Sequence, residues 1–123
     1  LRWVRAGHDP AFLYDPVAGC FAELGGPGMA IGVNGAYRYQ EGGRIGLAAG
    51  QVLLIGTDGL WETQDQTGEL FGKNRLEATI CQHAQSSADT ILESIIQAVQ
   101  QFRASAKQED DITLVVIKVV DSV

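Results

Sequence analysis

The chain has 123 residues, of which 46% are hydrophobic and 20% are charged, and its formal net charge is −6 at pH 7. This length supports one modest domain or part of a larger one, and the composition is that of a globular protein. The acidic balance argues against a nucleic-acid partner, because proteins that bind the phosphate backbone carry clustered Lys and Arg. No apolar run approaches the ~18 residues of a transmembrane helix, so we expect no membrane association.

The chain begins at Leu1 without an initiator Met, and its first residues lack the pattern of a signal peptide. Cys20 and Cys81 lie far apart and have no metal-ligand spacing. We therefore expect an excised portion of a cytoplasmic protein, with two buried free thiols.

The N-terminal part has the pattern of an antiparallel meander. Residues 1–5 are typical of a half-buried strand, and a strand at 12–14 precedes its hairpin partner at Cys20–Leu24. Residues 25–32 are rich in glycine but lack the GxGxxG spacing of nucleotide-binding loops, which indicates a connector. A second hairpin is predicted from strands at 36–40 and 44–47, with its turn at Glu41–Gly43.

Two helices are predicted in the C-terminal half. Asn74 is placed to cap the first, with Glu77 as its capping-box partner. Ser86 or Ser87 is placed to cap the second. Apolar residues recur at helical spacing in both segments: Leu76, Ile80 and Ala84 in the first, and Ile91, Ile95, Val99 and Phe102 in the second.

Two apolar strands adjoin acidic residues. Residues 52–55 form a run typical of a strand covered on both faces, and Asp58 and Gly59 follow it. Asp110 and Asp111 precede a β-branched run at 112–120, which predicts a central strand. If the two strands are antiparallel neighbours, Asp58 and Asp110 meet at one rim of the sheet.

Carboxylates that meet at a rim supply hard oxygen ligands for Mg²⁺ or Mn²⁺. Gly59 would let the backbone turn sharply or approach a ligand. The same residues also fit an Asp-Gly turn and a solvated strand end, and spacing alone leaves both interpretations open. His8, in a loop between strands, is a further site candidate or a turn-stabilising residue. His83 is predicted to be structural.

Four blocks occur in an order that is familiar from a known family. They are AGHDP at positions 6–10, LIGTDGL at 54–60, FG at 71–72 and DDITLVV at 110–116. Together they resemble the metal-dependent serine/threonine protein phosphatases of the protein phosphatase 2C type, specifically the bacterial SpoIIE/RsbU-like branch. The resemblance covers nearly the whole chain.

The resemblance implies an α+β fold of two stacked antiparallel β-sheets flanked by α-helices. It implies that Asp58 and Asp110 are metal ligands, with Asp111, His8 and Gly59 in supporting positions around them. Catalysis in that family uses a metal-bound water rather than a protein nucleophile, at a site for two Mn²⁺ or Mg²⁺ ions. The implied substrate is a phosphorylated regulatory protein, for which an anti-sigma-factor antagonist is one candidate.

The sequence departs from the family in one respect: the N-terminal GD-x-x-GHG motif, whose aspartate bridges the two metals, is absent. We therefore interpret residues 1–123 as a truncated, C-terminal portion of one phosphatase domain. We expect the isolated chain to have little or no phosphatase activity, to bind divalent metal weakly, and to self-associate through exposed sheet edges. The alternative interpretation is a noncatalytic, phosphatase-like module that senses a signal or binds a protein.

Overall fold

The computed structural model describes residues 1–121. Within them lie six strands and two α-helices: β1 (Arg2–Val4), β2 (Ala11–Asp15), β3 (Cys20–Leu24), β4 (Glu41–Gly43), β5 (Val52–Gly56), α1 (Gly72–His83), α2 (Ala88–Arg103) and β6 (Leu114–Lys118). A short 3-10 helix, Asp58–Leu60, follows β5. Neither helix of this described part is long and apolar enough to cross a membrane.

Four strands form an antiparallel sheet in the order β3-β2-β5-β6. The predicted hairpin of β2 and β3 is confirmed. Its turn is stabilised by Asp15, whose carboxylate accepts hydrogen bonds from the backbone N–H groups of Val17 and Ala18 at 2.9 and 3.1 Å. The predicted strand at 52–55 is β5, which lies between β2 and β6.

Helices α1 and α2 cover one face of this sheet, because each presents an apolar stripe at helical spacing. The second predicted helix is confirmed, and of its two candidate caps Ser87 is the one used: its hydroxyl accepts from the backbone N–H of Thr90. Side chains of both helices and of alternate strand positions form the main core: Phe12, Tyr14, Val52, Leu54, Leu76, Ile80, Ile91, Ile95 and Val99.

The opposite face of the sheet carries a smaller apolar cluster. Leu13, Leu24 and Leu53 are buried there, and Trp3 of β1 packs against them. Because β1 pairs antiparallel with β4, a two-stranded sheet lies on the face that the helices leave open. The expected α+β class, with two antiparallel sheets and flanking helices, is confirmed.

The predicted hairpin of residues 36–40 and 44–47 is wrong. Its expected turn, Glu41–Gly43, is strand β4 and pairs with β1. A Cβ atom on Gly42 would lie 2.5 Å from Cε2 of Trp3, so the indole ring lies directly against bare backbone. Glycine weakens most strands, but here it permits that close approach.

The last strand also differs from its prediction. It is shorter than 112–120, spans Leu114–Lys118 and lies at an edge of the sheet rather than at its centre. Accordingly, Val115 and Ile117 are 46% and 45% exposed. The β-branched residues favour a strand but do not indicate where it lies in the sheet, and among the described residues only one face of β6 is covered.

Two smaller expectations are also wrong. Helix α1 begins at Gly72 with Phe71 in the N-cap position, so Asn74 lies inside the helix. Phe71 is buried in the core, which fixes where the helix starts. Cys20 and Cys81 are free thiols as expected, but both are exposed rather than buried.

Candidate functional site

Asp58 lies where the central strand leaves the sheet. Strand β5 ends at Gly56, and the 3-10 helix then turns the chain back, with Leu60 and Trp61 buried in the core. These two anchors fix the backbone on the C-terminal side of Asp58. Its Oδ1 atom accepts a hydrogen bond of 2.9 Å from the backbone N–H of Gly59.

Asp110 and Asp111 approach this turn because β6 runs antiparallel to β5, with Leu114 opposite Gly56. The absence of a side chain at Gly59 makes the approach possible. A Cβ atom there would lie 2.6 Å from the carbonyl oxygen of Asp111 and 3.5 Å from Cβ of Asp110. The structure thus places Asp110 beside the residue that follows Asp58, at one rim of the sheet.

Thr57, which was not among the predicted site residues, joins the two segments by hydrogen bonds. Its backbone N–H donates to the carbonyl of Thr113 at 3.1 Å, and its hydroxyl accepts from the N–H of Thr113 at 3.0 Å. The same hydroxyl donates to the carbonyl of Asp111 at 3.3 Å. The only feature of the sequence that indicated this role of Thr57 was the presence of a hydroxyl residue directly before Asp58.

His8 lies on the other side of Asp58. Residues 7–9 and 56–58 line a cavity of about 200 Å³, so His8, Asp9 and Asp58 share one space. The loop is held by Arg5, whose guanidinium donates to the carbonyl of His8 at 2.8 and 3.1 Å. Nδ1 of His8 donates to the carbonyl of Asp9 at 2.9 Å, and Asp9 is a carboxylate that the sequence analysis overlooked.

A larger cavity of about 460 Å³ opens beside Asp110. It lies between the chain that follows Gly59 and the loop that precedes Asp110, and both segments contribute to its walls. The candidate site therefore consists of two aspartates at the rim with open space on either side of them.

The donor set fits part of a divalent-cation site. Asp110, like Asp58, uses Oδ1 to accept from the next backbone N–H, at 2.7 Å. Among residues 1–121, no hydrogen bond reaches the second carboxylate oxygen of either residue. Carboxylate oxygens suit Mg²⁺ and Mn²⁺. In that same range no group of three His, Cys, Asp or Glu side chains is close enough to hold an ion. Two carboxylates, those of Asp58 and Asp110, are therefore the part of a cation site that the rim could supply.

Comparisons with known proteins identify the family. Residues 1–120 match the family described as Stage II sporulation protein E (SpoIIE). Over 120 residues the chain is 31% identical to Protein IcfG of Synechocystis sp., covering 95% of this chain and 18% of that protein.

Solved structures give the same picture. The SiaA-PP2C domain of Pseudomonas aeruginosa matches with a TM-score of 0.72 at 26% identity, over 90% of this chain and 43% of that one. The PP2C phosphatase domain of SpoIIE from Bacillus subtilis shares the fold, with a TM-score of 0.70 at 18% identity, over 99% of this chain and 34% of that one. The chain spans less than half the length of each relative. The resemblance in the four sequence blocks is confirmed, and the chain belongs to the SpoIIE family of PP2C-type phosphatase domains.

Proposed function

We propose that residues 1–123 are the C-terminal portion of a single phosphatase domain whose parent protein removes phosphate from phosphoserine or phosphothreonine of a regulatory protein. An anti-sigma-factor antagonist is our candidate substrate, and we place the protein in the cytoplasm. The observation that carries the proposal is the packing of Gly59 against Asp110 and Asp111, which brings Asp110 close to Asp58.

In this proposal Asp58 and Asp110 hold Mn²⁺ or Mg²⁺ through carboxylate oxygens. When bound, such an ion activates water and stabilises the charge of a phosphoryl group in an in-line displacement. One observation on a relative supports this choice of ion: one structure of the B. subtilis SpoIIE phosphatase domain is of a manganese-presoaked form.

The neighbours of the two aspartates have supporting roles in the proposal. Gly59 has no side chain, so the segment that contains Asp58 can lie close to the segment that contains Asp110 and Asp111. The Thr57 hydroxyl donates to the carbonyl of Asp111 and so fixes the backbone beside Asp110. His8 lines the cavity next to Asp58, and because its Nδ1 donates to the carbonyl of Asp9, its Nε2 is left to accept a hydrogen bond from water. None of these residues acts as a nucleophile.

The experiment measures manganese-dependent hydrolysis of p-nitrophenyl phosphate by the full-length protein. We expect Asp58→Asn and Asp110→Asn to abolish it, because an amide is a poorer ligand for a hard cation than a carboxylate. Asp121→Asn, the same substitution at an exposed position beyond β6, is the control and should retain activity. Full activity of Asp58→Asn would overturn the proposal.

For the isolated 123 residues we propose little or no activity, because the described residues contain no group of three or more potential metal ligands. Hydrolysis by this chain alone that is abolished by Asp58→Asn would contradict that expectation. The same shortage of ligands favours one alternative function: a noncatalytic, phosphatase-like module that senses a signal or binds a protein. A GD-x-x-GHG motif in the parent protein upstream of Leu1 would favour the enzyme over this alternative.

A further inference from the structure

The cavity of about 460 Å³ beside Asp110 is larger than a phosphoryl group requires, and its volume falls in the range of ligand pockets, roughly 300–1,000 Å³. Its lining mixes the apolar side chain of Leu70 with the amides of Gln64 and Gln108. Its charged residues are of both signs: Lys107 is basic, and Glu62, Glu109 and Asp110 are acidic. Such a mixture suits a polypeptide, which offers side chains and backbone polar groups together.

One side of the cavity is formed by residues 63–71, which we call the wall loop. The loop is internally hydrogen-bonded around Asp65, whose Oδ1 accepts from the N–H and hydroxyl of Thr67 at 2.8 and 2.7 Å and from the N–H of Glu69 at 2.9 Å. The two ends of the loop are joined by the N–H of Phe71, which donates to the carbonyl of Thr63 at 2.8 Å. The loop is thus an ordered turn.

Arg75 of α1 holds the wall loop in place. Its Nη1 donates to the carbonyls of Leu70 and Phe71 at 2.9 and 3.0 Å, and its Nη2 donates to the carboxylate of Glu69. The guanidinium also lies 4.6 Å from the ring centroid of Phe102 on α2. Arg75 therefore fixes the end of the loop that contributes Leu70 to the cavity.

The opposite side of the cavity is held in a similar way. Arg103, at the end of α2, donates to the side-chain oxygen of Gln108, whose amide N–H donates to the carbonyl of Asp110 at 2.9 Å. The amide of Gln66 in the wall loop donates to the hydroxyl of Ser105, which links the two sides. Both walls are thus set before any ligand arrives.

We propose that this cavity receives the polypeptide that flanks the phosphorylated side chain of the substrate, and that Arg75 is a positioning residue for it. The inference rests on the proposed function, since Asp110 at one end of the cavity marks the reacting centre. Leu70 contacts the flanking residues directly, whereas Arg75 acts by holding the wall loop. Contacts of this kind discriminate a phosphopeptide from a small phosphate ester.

The test uses the full-length protein and two probes, a phosphoserine peptide and p-nitrophenyl phosphate. Arg75→Lys loosens the wall loop, so the peptide must order the loop on binding, and Leu70→Ala removes a direct contact with the peptide. We therefore expect each variant to lower kcat/KM for the peptide about tenfold more than for the small ester, mainly through KM. Arg38→Lys and Ile45→Ala, at exposed positions away from the cavity, are matched controls and should leave both values unchanged.

Equal losses on the two probes, or unchanged peptide kinetics in both variants, would overturn the inference while the proposed function stands. If the wild-type protein hydrolyses neither probe, the proposed function fails and this inference fails with it. Should Arg75→Lys unfold, Leu70→Ala still decides the matter, because Leu70 is 46% exposed and its truncation leaves the core intact.

Discussion

Gly59→Ala is expected to separate the two aspartates of the rim without unfolding the domain. The added Cβ would lie 2.6 Å from the carbonyl oxygen of Asp111, whereas real Cβ atoms essentially never come closer than 3.0 Å. The clash is with backbone, so no side chain can rotate away from it. Overpacking of this kind costs about 1–3 kcal/mol. If the backbone at Asp110 moves away to relieve the clash, ion binding must bring it back against the added methyl group. The free energy of manganese binding then falls by the same amount, which lowers the affinity about 5- to 150-fold.

Isothermal titration calorimetry of the full-length protein with Mn²⁺ measures this change, and thermal unfolding shows whether the fold persists. Gly35→Ala is the matched control, because a Cβ there meets no atom within 4 Å. Hydrolysis of p-nitrophenyl phosphate should fall with the affinity, since a displacement of about 1 Å at a reacting centre costs about a hundredfold in rate. If Gly59→Ala binds manganese as tightly as Gly35→Ala, the argument from close packing is refuted.

Three other predictions concern stability and assembly. Asp15→Ala removes the acceptor of the buried Gln51 amide and of two N–H groups in the hairpin turn, so the free energy of unfolding in urea should fall, and by less for Asp15→Asn; equal losses would contradict this reasoning. Hydrogen bonds lower the pKa of Asp65, and the bond from the Thr67 side chain has the largest effect. The stability that Asp65 contributes is therefore fully present above the ordinary pKa of an aspartate, about 3.9, and is lost as the pH falls through the lower pKa that Asp65 has in the folded protein. Asp65→Asn should therefore flatten the acid side of a Tm-versus-pH curve, and an unchanged curve would count against it. The isolated 123-residue chain should self-associate through its edge strand β6, and Ile117→Lys should shift sedimentation equilibrium toward the monomer; a monodisperse monomer of the unmodified chain would contradict this.

Local patterns were sufficient to predict the elements whose partners are close in sequence or whose periodicity is strong. The hairpin of β2 and β3 and the helix α2 follow from alternation, turn residues and a regular apolar stripe. The position of Asp110 beside Gly59, the residue after Asp58, was also predictable, because each aspartate lies next to an apolar strand and the two strands are antiparallel neighbours.

Long-range packing was not predictable in the same way. Strand β4 contains two glycines and pairs with β1, some forty residues earlier, so its local propensity indicates a turn. The reason for Gly42 becomes visible only when the ring of Trp3 lies on it. Likewise, Thr57 and Arg75 donate hydrogen bonds to backbone carbonyls, and the sequence alone does not show which carbonyls lie within their reach.

The order of the strands also sets when the rim forms as the chain is synthesised. Asp58 follows β5, a strand in the middle of the sequence. Asp110 precedes β6, which is the last strand among the described residues. Both helices lie between the two strands, so their pairing closes a long loop and is a late event in folding. A nascent chain therefore carries a helical layer and an open sheet before Asp110 can lie beside Gly59 at the rim.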